Sequence, residues 1–469
     1  MIPVCTAEQT RALDDAVIQG AGIPGRTLME IAGRSLAEII HERFPTGELA
    51  ILCGPGNNGG DGYVAARWLV QWGRTVRLSG PPCKTDDAAV NRTLCERLGI
   101  PILSVDDALL GAHIGVDALL GTGANREPSE AIAQVIHSIN QADHVVSVDI
   151  PTGIHANTGA VMGVAVQADL TVTLGRWKPG LLAAPGCEHA GDIYCVDIGL
   201  DLAHTVDPHL MNPVALLLEE SDIERWRPQV GNSEAKWDRG HVGIIGGGGA
   251  ATLAAHGAFR GGAGLVTLFA PKPMWESFHG LWPEVILAEI ESLDSGRHDV
   301  IVVGPGLGTD KVDLICDLWS NFDGGVIADA DALTVLSSHP HTTPTDKPRV
   351  ITPHTAEAAR LLGLSRSEVE ADRFAAAFAL SQKAVSVLKG PHSLIASRSL
   401  WVNPTGCNRL ATAGTGDVLA GMIAGSMAAG VSPERASAVA VWDHGMASTR
   451  MPSGGTASDL IDALHGLTP

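Results

Sequence analysis

Short apolar runs alternate with amphipathic stretches along nearly the whole chain. Runs of strand length occur at residues 49–53, 75–78, 114–119, 145–150, 170–174 and 193–196, and several of the segments between them carry apolar residues at helical spacing. This alternation of strand and helix predicts parallel sheets covered by helices, an α/β fold. Residues 6–43 read as two helices broken at Gly20-Ala-Gly-Ile-Pro-Gly25, the first opened by a capping box of Thr6 and Gln9. A second series begins with a strand at 241–245 and ends with a helix at 456–464. Residues 201–228 show no strand of their own, which places a boundary near Asn212 and divides the chain into domains 1–212 and 213–469.

Composition acts by exclusion. With 469 residues, 45% of them apolar, the chain can build two well-packed domains, and abundant glycine and alanine suit helices lying close on parallel sheets. A formal net charge of -20 argues against nucleic acid or an anionic membrane as partner, so an anionic ligand must be held locally by backbone amides and a few cations. The first residues lack the basic-then-apolar pattern of an export signal and no run is long enough to cross a bilayer, so a cytoplasmic protein is expected. The eight cysteines form no Cys-x-x-Cys pair and no zinc-ligand spacing with histidine; they read as reduced residues, and His339-Pro-His341 reads as loop.

The densest chemistry lies near the C-terminus, where a polar loop ends in Ala413-Gly414-Thr415-Gly416-Asp417 and runs into an apolar helix. Unpaired amides at a helix start attract anions, and glycine lets a polyphosphate approach the backbone. Asp417 then stands as general base for a hydroxyl beside that phosphate; the alternative is a tight turn in which Asp417 only caps the helix. Val385-Ser-Val-Leu-Lys389-Gly390 reads as a buried strand delivering a lysine and a glycine turn. Arg349-Val-Ile-Thr352-Pro353-His354 reads as a strand stopped by proline before a helix. Three such polar ends imply one crevice.

The first half has its own centre. After strand 49–53 comes Gly54-Pro-Gly56-Asn57-Asn58-Gly59-Gly60-Asp61-Gly62, which formally satisfies a dinucleotide-binding Gly-x-Gly-x-x-Gly. Two features count against an ordinary Rossmann loop: the next strand ends in Leu78-Ser-Gly-Pro-Pro with no acid for a ribose, and Asp61 sets a negative charge where a pyrophosphate would sit. Asn58 and Asp61 suit amide contacts, a cation or acid–base work better. Two further strand ends carry Asp117 and Asp149, and ligands of open parallel sheets bind outside those ends. Helix capping or backbone hydrogen bonding is the alternative for each aspartate.

Residues 222–469 resemble the ribokinase-like superfamily, and within it the NAD(P)H-hydrate dehydratases. The resemblance rests on Gly240-His-Val-Gly-Ile-Ile-Gly-Gly, Arg260-Gly-Gly-Ala263-Gly-Leu-Val-Thr, Val303-Gly304-Pro-Gly306-Leu-Gly308, Ile327-Ala-Asp329-Ala-Asp331, Thr352-Pro-His354-Thr-Ala-Glu357, Lys389-Gly390 and Gly414-Thr-Gly-Asp417. Residues 5–212 resemble the NAD(P)H-hydrate epimerase domain, a Rossmann-like α/β/α sandwich. The whole chain is therefore similar to the bifunctional nicotinamide-nucleotide repair enzymes of bacteria.

The resemblance implies an epimerase that interconverts R and S hydrates of NADH and NADPH, and an ADP-dependent dehydratase that returns the S form to NAD(P)H with release of AMP and phosphate. In the epimerase domain it implies hydrate contacts from Asn57, Asn58, Gly59, Gly60 and Asp61, from Gly121, Thr122, Gly123, Ala124, Asn125, Arg126 and Glu127, and from Asp149 as the catalytic acid or base. Potassium would be held by Asn58, Asp117 and Thr152. In the dehydratase domain the hydrate would meet Ala263, Gly306, His354 and the base Asp417, while ADP with magnesium would meet Lys389, Gly390, Pro391, His392, Ser393 and Gly416. A homo-oligomer is expected. Thr152, Ser393 and Ala413 depart from the usual serine, threonine and glycine, and threonine keeps the oxygens a hard cation needs. The competing readings are a ribokinase-like small-molecule kinase with an accessory binding domain and, in a different class, an interaction scaffold.

Overall fold

The computed structural model describes residues 1–228, 231, 233, 235–294, 296–339 and 346–467. The chain divides into two compact units, Pro3–Val214 and Met1–Ile2 with Ala215–Pro469.

In the first unit seven parallel strands lie in the order Ile102–Leu103, Val76–Ser79, Leu49–Cys53, Ile114–Ala118, His144–Val148, Leu170–Leu174 and Asp192–Val196. Side chains alternate across a strand, and here both faces are covered. Leu49, Ile51 and Cys53 share a core with Leu36, Ile40, Tyr63 and Leu69. Ala50 and Leu52 pack with Ile136 and Ile139 in another. The chain runs outward from Leu49–Cys53 to one edge, then restarts at Ile114–Ala118 and fills the other side. At that reversal the loops following the two strands diverge, which opens a crevice outside their carboxyl ends.

The second unit holds an eleven-stranded sheet. From Ile2–Val4 at one edge it continues through Ala215–Leu217, Leu400–Val402, Leu394–Ala396, Val385–Leu388, Arg349–Ile351, Gly325–Ala328, Val300–Val303, His241–Ile245 and Leu265–Phe269 to Ile286–Ala288. Leu394–Ala396 runs antiparallel to both neighbours. The order reverses between His241–Ile245 and Val300–Val303, and the loops after them interlock, with Gly247 N donating to Pro305 O at 2.9 Å.

Several expectations needed adjustment. The stretch 201–228 contains the strand Ala215–Leu217 as well as the helix Glu220–Trp226. Three residues are too few to show a period; pairing with Leu400–Val402 makes them a strand. The edge strand Ile102–Leu103 is shorter still. The Thr6–Gln9 box is formed, and its helix Ala7–Asp15 passes into a π turn at Ala16–Gly20 before Gly25–Arg43 begins. His339 follows the helix Asp331–Ser338 and contacts Val335 O through Nδ1 at 2.8 Å, whereas Pro340 and His341 lie outside the described residues.

The helix Thr415–Ala428, which carries Asp417, lies against Gly248–Arg260 at backbone distance. A Cβ added at Gly421 would stand 2.0 Å from Ala254 O, and one at Gly257 2.2 Å from Val418 O. Neither oxygen can move without shifting a helix. Gly421→Ala should therefore cost about 1–3 kcal/mol, while Gly249→Ala, which meets nothing within 4 Å, should be neutral or slightly stabilising. Denaturant melts of both variants check the contrast.

Candidate active sites

The reversal in the first sheet holds a cleft of 1220 Å³. Asn57, Asn58 and Asp61 from the start of the helix Asn57–Gln71 line it, together with Gly121, Thr122, Gly123, Ala124, Asn125, Arg126 and Glu127, and with Asp149 beyond strand His144–Val148. Gly59 and Gly60 do not line it. They are buried residues of the helix itself, where a Cβ would stand 2.0 Å from Gly54 O or 2.5 Å from Met29 Cε, so they let the helix start close to strand and neighbour.

Asp149 sits at φ 69, unusual for a residue with a side chain, and its Oδ1 accepts from Leu174 N at 3.1 Å. The ammonium of Lys178 ion-pairs with the same oxygen. Lys178 is fully buried, and its remaining donors reach Thr173 Oγ1 at 2.9 Å and Leu174 O at 2.8 Å. Sequence reasoning missed it; Arg176-Trp-Lys178 carries no motif, and its place follows from the loop after strand Leu170–Leu174. Burial, then repulsion from Asp149 and Asp14, pushes the Asp61 carboxyl well above the ordinary range despite nearby Lys178. This favours its protonated form and so the acid–base alternative among the sequence readings of Asp61. Asp14 on helix Ala7–Asp15, likewise missed, is raised to about 6, chiefly by burial.

Asp117 and Thr152 lie beneath the cleft, both buried. Asp117 Oδ1 accepts from Leu119 N at 3.2 Å and Thr152 Oγ1 at 2.7 Å; Oδ2 accepts from Ser147 Oγ at 3.0 Å and Thr152 N at 2.8 Å. Thr152 Oγ1 in turn accepts from Leu120 N at 3.0 Å, tying two strand ends together. Burial nevertheless pushes Asp117 upward against these four donors. No described cation pairs with it, and the amide nitrogen of Asn58 is buried without a partner.

In the second unit the strand ends converge as the sequence implied. Gly306, at φ 63, occupies the reversal. His354 caps the helix Thr355–Leu362: its Nδ1 accepts from Ala356 N at 3.1 Å and Glu357 N at 3.4 Å, and its Nε2 lies 3.3 Å from Glu357 Oε1. Lys389 Nζ donates to Asp329 Oδ1 at 2.9 Å, and a Cβ built on Gly416 would be 3.2 Å from the same nitrogen. The lysine thus lies directly over the glycine loop. Burial lowers its affinity for a proton, but Asp329, Glu357 and Asp417 outweigh this and hold it raised.

Gly414, at φ 90, turns the chain into the helix and puts Asp417 in the first turn. Burial, followed by the Asp329 charge and only partly offset by Lys389, raises Asp417 to about 6. His444 holds this turn through Nε2 and Thr415 O at 2.9 Å; burial lowers its pKa to about 4, so it is neutral and donates. In the turn Lys389-Gly390-Pro391-His392-Ser393, Gly390 has φ 151 and His392 φ 47, and Ser393 Oγ donates to Gly390 O at 3.2 Å. Buried Arg373 supports it by donating to Lys389 O at 3.3 Å. Asp329, Arg373 and His444 were not anticipated as site residues. Ala263 is not brought into the crevice. It is buried just before strand Leu265–Phe269, at the amino end of the parallel strands, whereas the other residues cluster at their carboxyl ends.

A family model described as NAD(P)H-hydrate dehydratase matches residues 242–466, and one described as YjeF-related protein N-terminus matches residues 25–180. A bifunctional NAD(P)H-hydrate repair enzyme of Thermanaerovibrio acidaminovorans is 36% identical to this chain, over 97% of it and 95% of the relative. The chain belongs to the family of bifunctional NAD(P)H-hydrate repair enzymes. Its Escherichia coli member is 34% identical over 95% of this chain and 91% of its own. An ADP/ATP-dependent NAD(P)H-hydrate dehydratase of Bacillus subtilis, solved with ATP and magnesium, is 28% identical, covers 55% of this chain and 98% of its own, and has a TM-score of 0.49. Within this family the N-terminal unit is Rossmann-like and the C-terminal unit ribokinase-like.

Raising Asp417 has a thermodynamic signature. An aspartate with a folded pKa of about 6 against an ordinary 3.8 favours folding most below the lower value, and that contribution is lost as pH rises through about 6. Asp417→Asn removes the cost of the buried charge, so it should raise the melting temperature at pH about 7 and change it little at pH about 4. Calorimetry at both pH values checks the sign.

Proposed function

We propose that Asp417 is the general base of the dehydratase and Asp149 a proton-handling carboxylate of the epimerase. The protein is a bifunctional NAD(P)H-hydrate repair enzyme, an epimerase in its first half and an ADP-dependent dehydratase in its second. Its substrate carries a hydroxyl on C6 of a reduced nicotinamide ring, in R or S configuration. Hydroxide leaves poorly and phosphate leaves well. Asp417 takes the proton of the C6 hydroxyl, the oxygen receives the terminal phosphoryl group of ADP, the ring nitrogen lone pair expels phosphate to leave an N1–C6 iminium, and loss of a proton from C5 to water restores the C5–C6 double bond of the ring. The observation that carries this reading is Asp417 itself, tuned to about 6 in the first turn of a helix. A base poised near working pH is the efficient one. Lys389, over Gly416, offsets the charge that develops on the transferred group.

Two cations belong to the reading. In the dehydratase, Asp329, Asp331, Glu357 and Asp417 repel one another across one crevice, and burial with this repulsion raises Asp417. Among the described residues these acids do not close into a metal cage of their own, so magnesium would be held mainly by the phosphates of bound ADP and would neutralise them. In the epimerase, Asp117 is a buried carboxyl with no cation among the described residues to balance it, which fits potassium, with the side-chain oxygens of Asn58 and Thr152 as further ligands. Raising potassium against sodium at constant ionic strength should lift the melting temperature of the wild type and not of Asp117→Asn. Among the described residues no helix is long and apolar enough to cross a membrane; a cytoplasmic setting belongs to the proposal. Light scattering tests the expected homo-oligomer.

Crossed variants separate the two halves. Asp417→Asn should slow conversion of the S hydrate by at least about 100-fold and spare R/S exchange. Asp149→Asn should do the reverse once spontaneous exchange is subtracted. A stable phosphorylated product from the wild type, in place of free phosphate and restored absorbance of reduced nicotinamide, would instead mark a small-molecule kinase.

ADP should drive the dehydratase better than ATP. With AMP fixed in the Lys389–Ser393 turn, the β-phosphate reaches Gly416 and Asp417, and ATP carries one group too many. Initial rates with each nucleotide freed of the other decide it.

A further inference from the structure

The epimerase cleft holds a second carboxyl that the reading above leaves without work. Asp61 projects from helix Asn57–Gln71, just past its first turn, into the cleft also lined by Asp149 and Lys178, yet it is only 7% exposed. Its carboxyl takes no hydrogen bond and no ion pair from any described residue. Lys178 cannot serve it, because an ammonium has three donors and those of Lys178 go to Asp149, Thr173 and Leu174. A buried carboxyl with no donor and no cation keeps its proton. Beside it, Asp149 has the close cationic partner, Lys178, that Asp61 lacks. Two like groups driven apart by their surroundings are the usual arrangement of an acid and a base in one site.

We propose that Asp61 is the proton donor of the epimerisation, that Asp149 is the proton acceptor, and that Lys178 positions Asp149. This rests on the epimerase reading of the cleft. In the R-to-S direction the ring nitrogen lone pair forms the N1–C6 double bond as the C6–O bond breaks, and the departing oxygen takes the Asp61 proton and leaves as water. Water then adds to C6 from the other face, the N1–C6 π electrons return to nitrogen, and the surplus proton passes to Asp149. A proton returning through cleft water from Asp149 to Asp61 resets the pair. No bond order, electron or proton is left over, and no cofactor is consumed.

Burial and the facing charges act on Asp61 from each element packed there: Asp14 from helix Ala7–Asp15 and Asp149 from its strand end raise it, and Lys178 opposes them. Epimerisation should therefore fail at alkaline pH as Asp61 loses its proton.

The test uses the full-length protein without ADP, so that the dehydratase is silent, and follows interconversion of separated R and S hydrates above the spontaneous rate. Asp61→Asn should lower kcat for exchange by about 100-fold or more, with KM within a few-fold and the melting temperature kept, because the amide is isosteric with the neutral acid. Asp61→Glu should recover part of the loss. Wild-type kcat in Asp61→Asn, or a change in KM alone, overturns the proposal and leaves the epimerase reading standing. A wild type that does not exceed spontaneous exchange overturns both. The wild-type pH profile is independent of how the variant folds: a rate that does not fall as the pH is raised into the alkaline range overturns Asp61 as the donor.

Discussion

Each half of the chain sets one lysine ammonium among more carboxyls than it can balance, and both sites depend on that shortage. Lys178 faces Asp149, Asp61 and Asp14; Lys389 faces Asp329, Glu357 and Asp417. One carboxyl takes the ammonium as a close partner, Asp149 in the first case and Asp329 in the second. The others are left with burial and mutual repulsion. These push Asp417 and Asp14 to about 6 and Asp61 well above the ordinary range. A surface carboxylate would hold no proton at neutral pH, and a fully paired one would never give or take one. Intermediate burial with one cation too few is what makes a carboxyl useful for moving protons near pH 7.

Parallel sheets make this shortage possible. All carboxyl ends of a parallel run open on one side, so acids placed after successive strands meet although far apart in the chain. Asp329, His354 and Lys389 follow three adjacent strands, and the helix start at Gly414 brings Asp417 to them. In the first unit the reversal between Leu49–Cys53 and Ile114–Ala118 places the helix carrying Asp61 across from the Asp149 loop. The strands beneath are closed on both faces by apolar side chains, which holds these positions and keeps water from screening the charges.

Such sites work against stability, and the surrounding packing offsets the cost. The helix bearing Asp417 approaches its neighbour closely enough that Gly421 and Gly257 admit no side chain. His444 pins the first turn of that helix from behind as a neutral donor, and Arg373 supports the backbone of the Lys389–Ser393 turn. Asp117 does the corresponding work in the first unit, where its four hydrogen bonds lock the strand ends that shape the cleft.

Local chemistry was legible where it depends on neighbours in the chain. The strands at Leu49–Cys53, Leu170–Leu174 and His241–Ile245, the Thr6–Gln9 box and the turn into the helix at Gly414 follow from apolar runs, capping residues and glycine, so each was read from a few consecutive residues. The acids at strand ends were visible for the same reason. Partners set by register were not. Lys178 meets Asp149 because two strand-end loops come side by side, and nothing in Arg176-Trp-Lys178 announces it. The upward push on Asp61 comes from burial and from acids far off in the chain, and that no linear pattern records. Ala263 lies in a motif that reads as well as the others, yet the direction of its strand puts it at the amino end of the sheet, away from the crevice. The sequence by itself determined which residues are able to carry charge, turn or cap; tertiary structure decided which of them share a low-dielectric pocket, because burial and through-space repulsion are properties of the packed molecule and not of the chain.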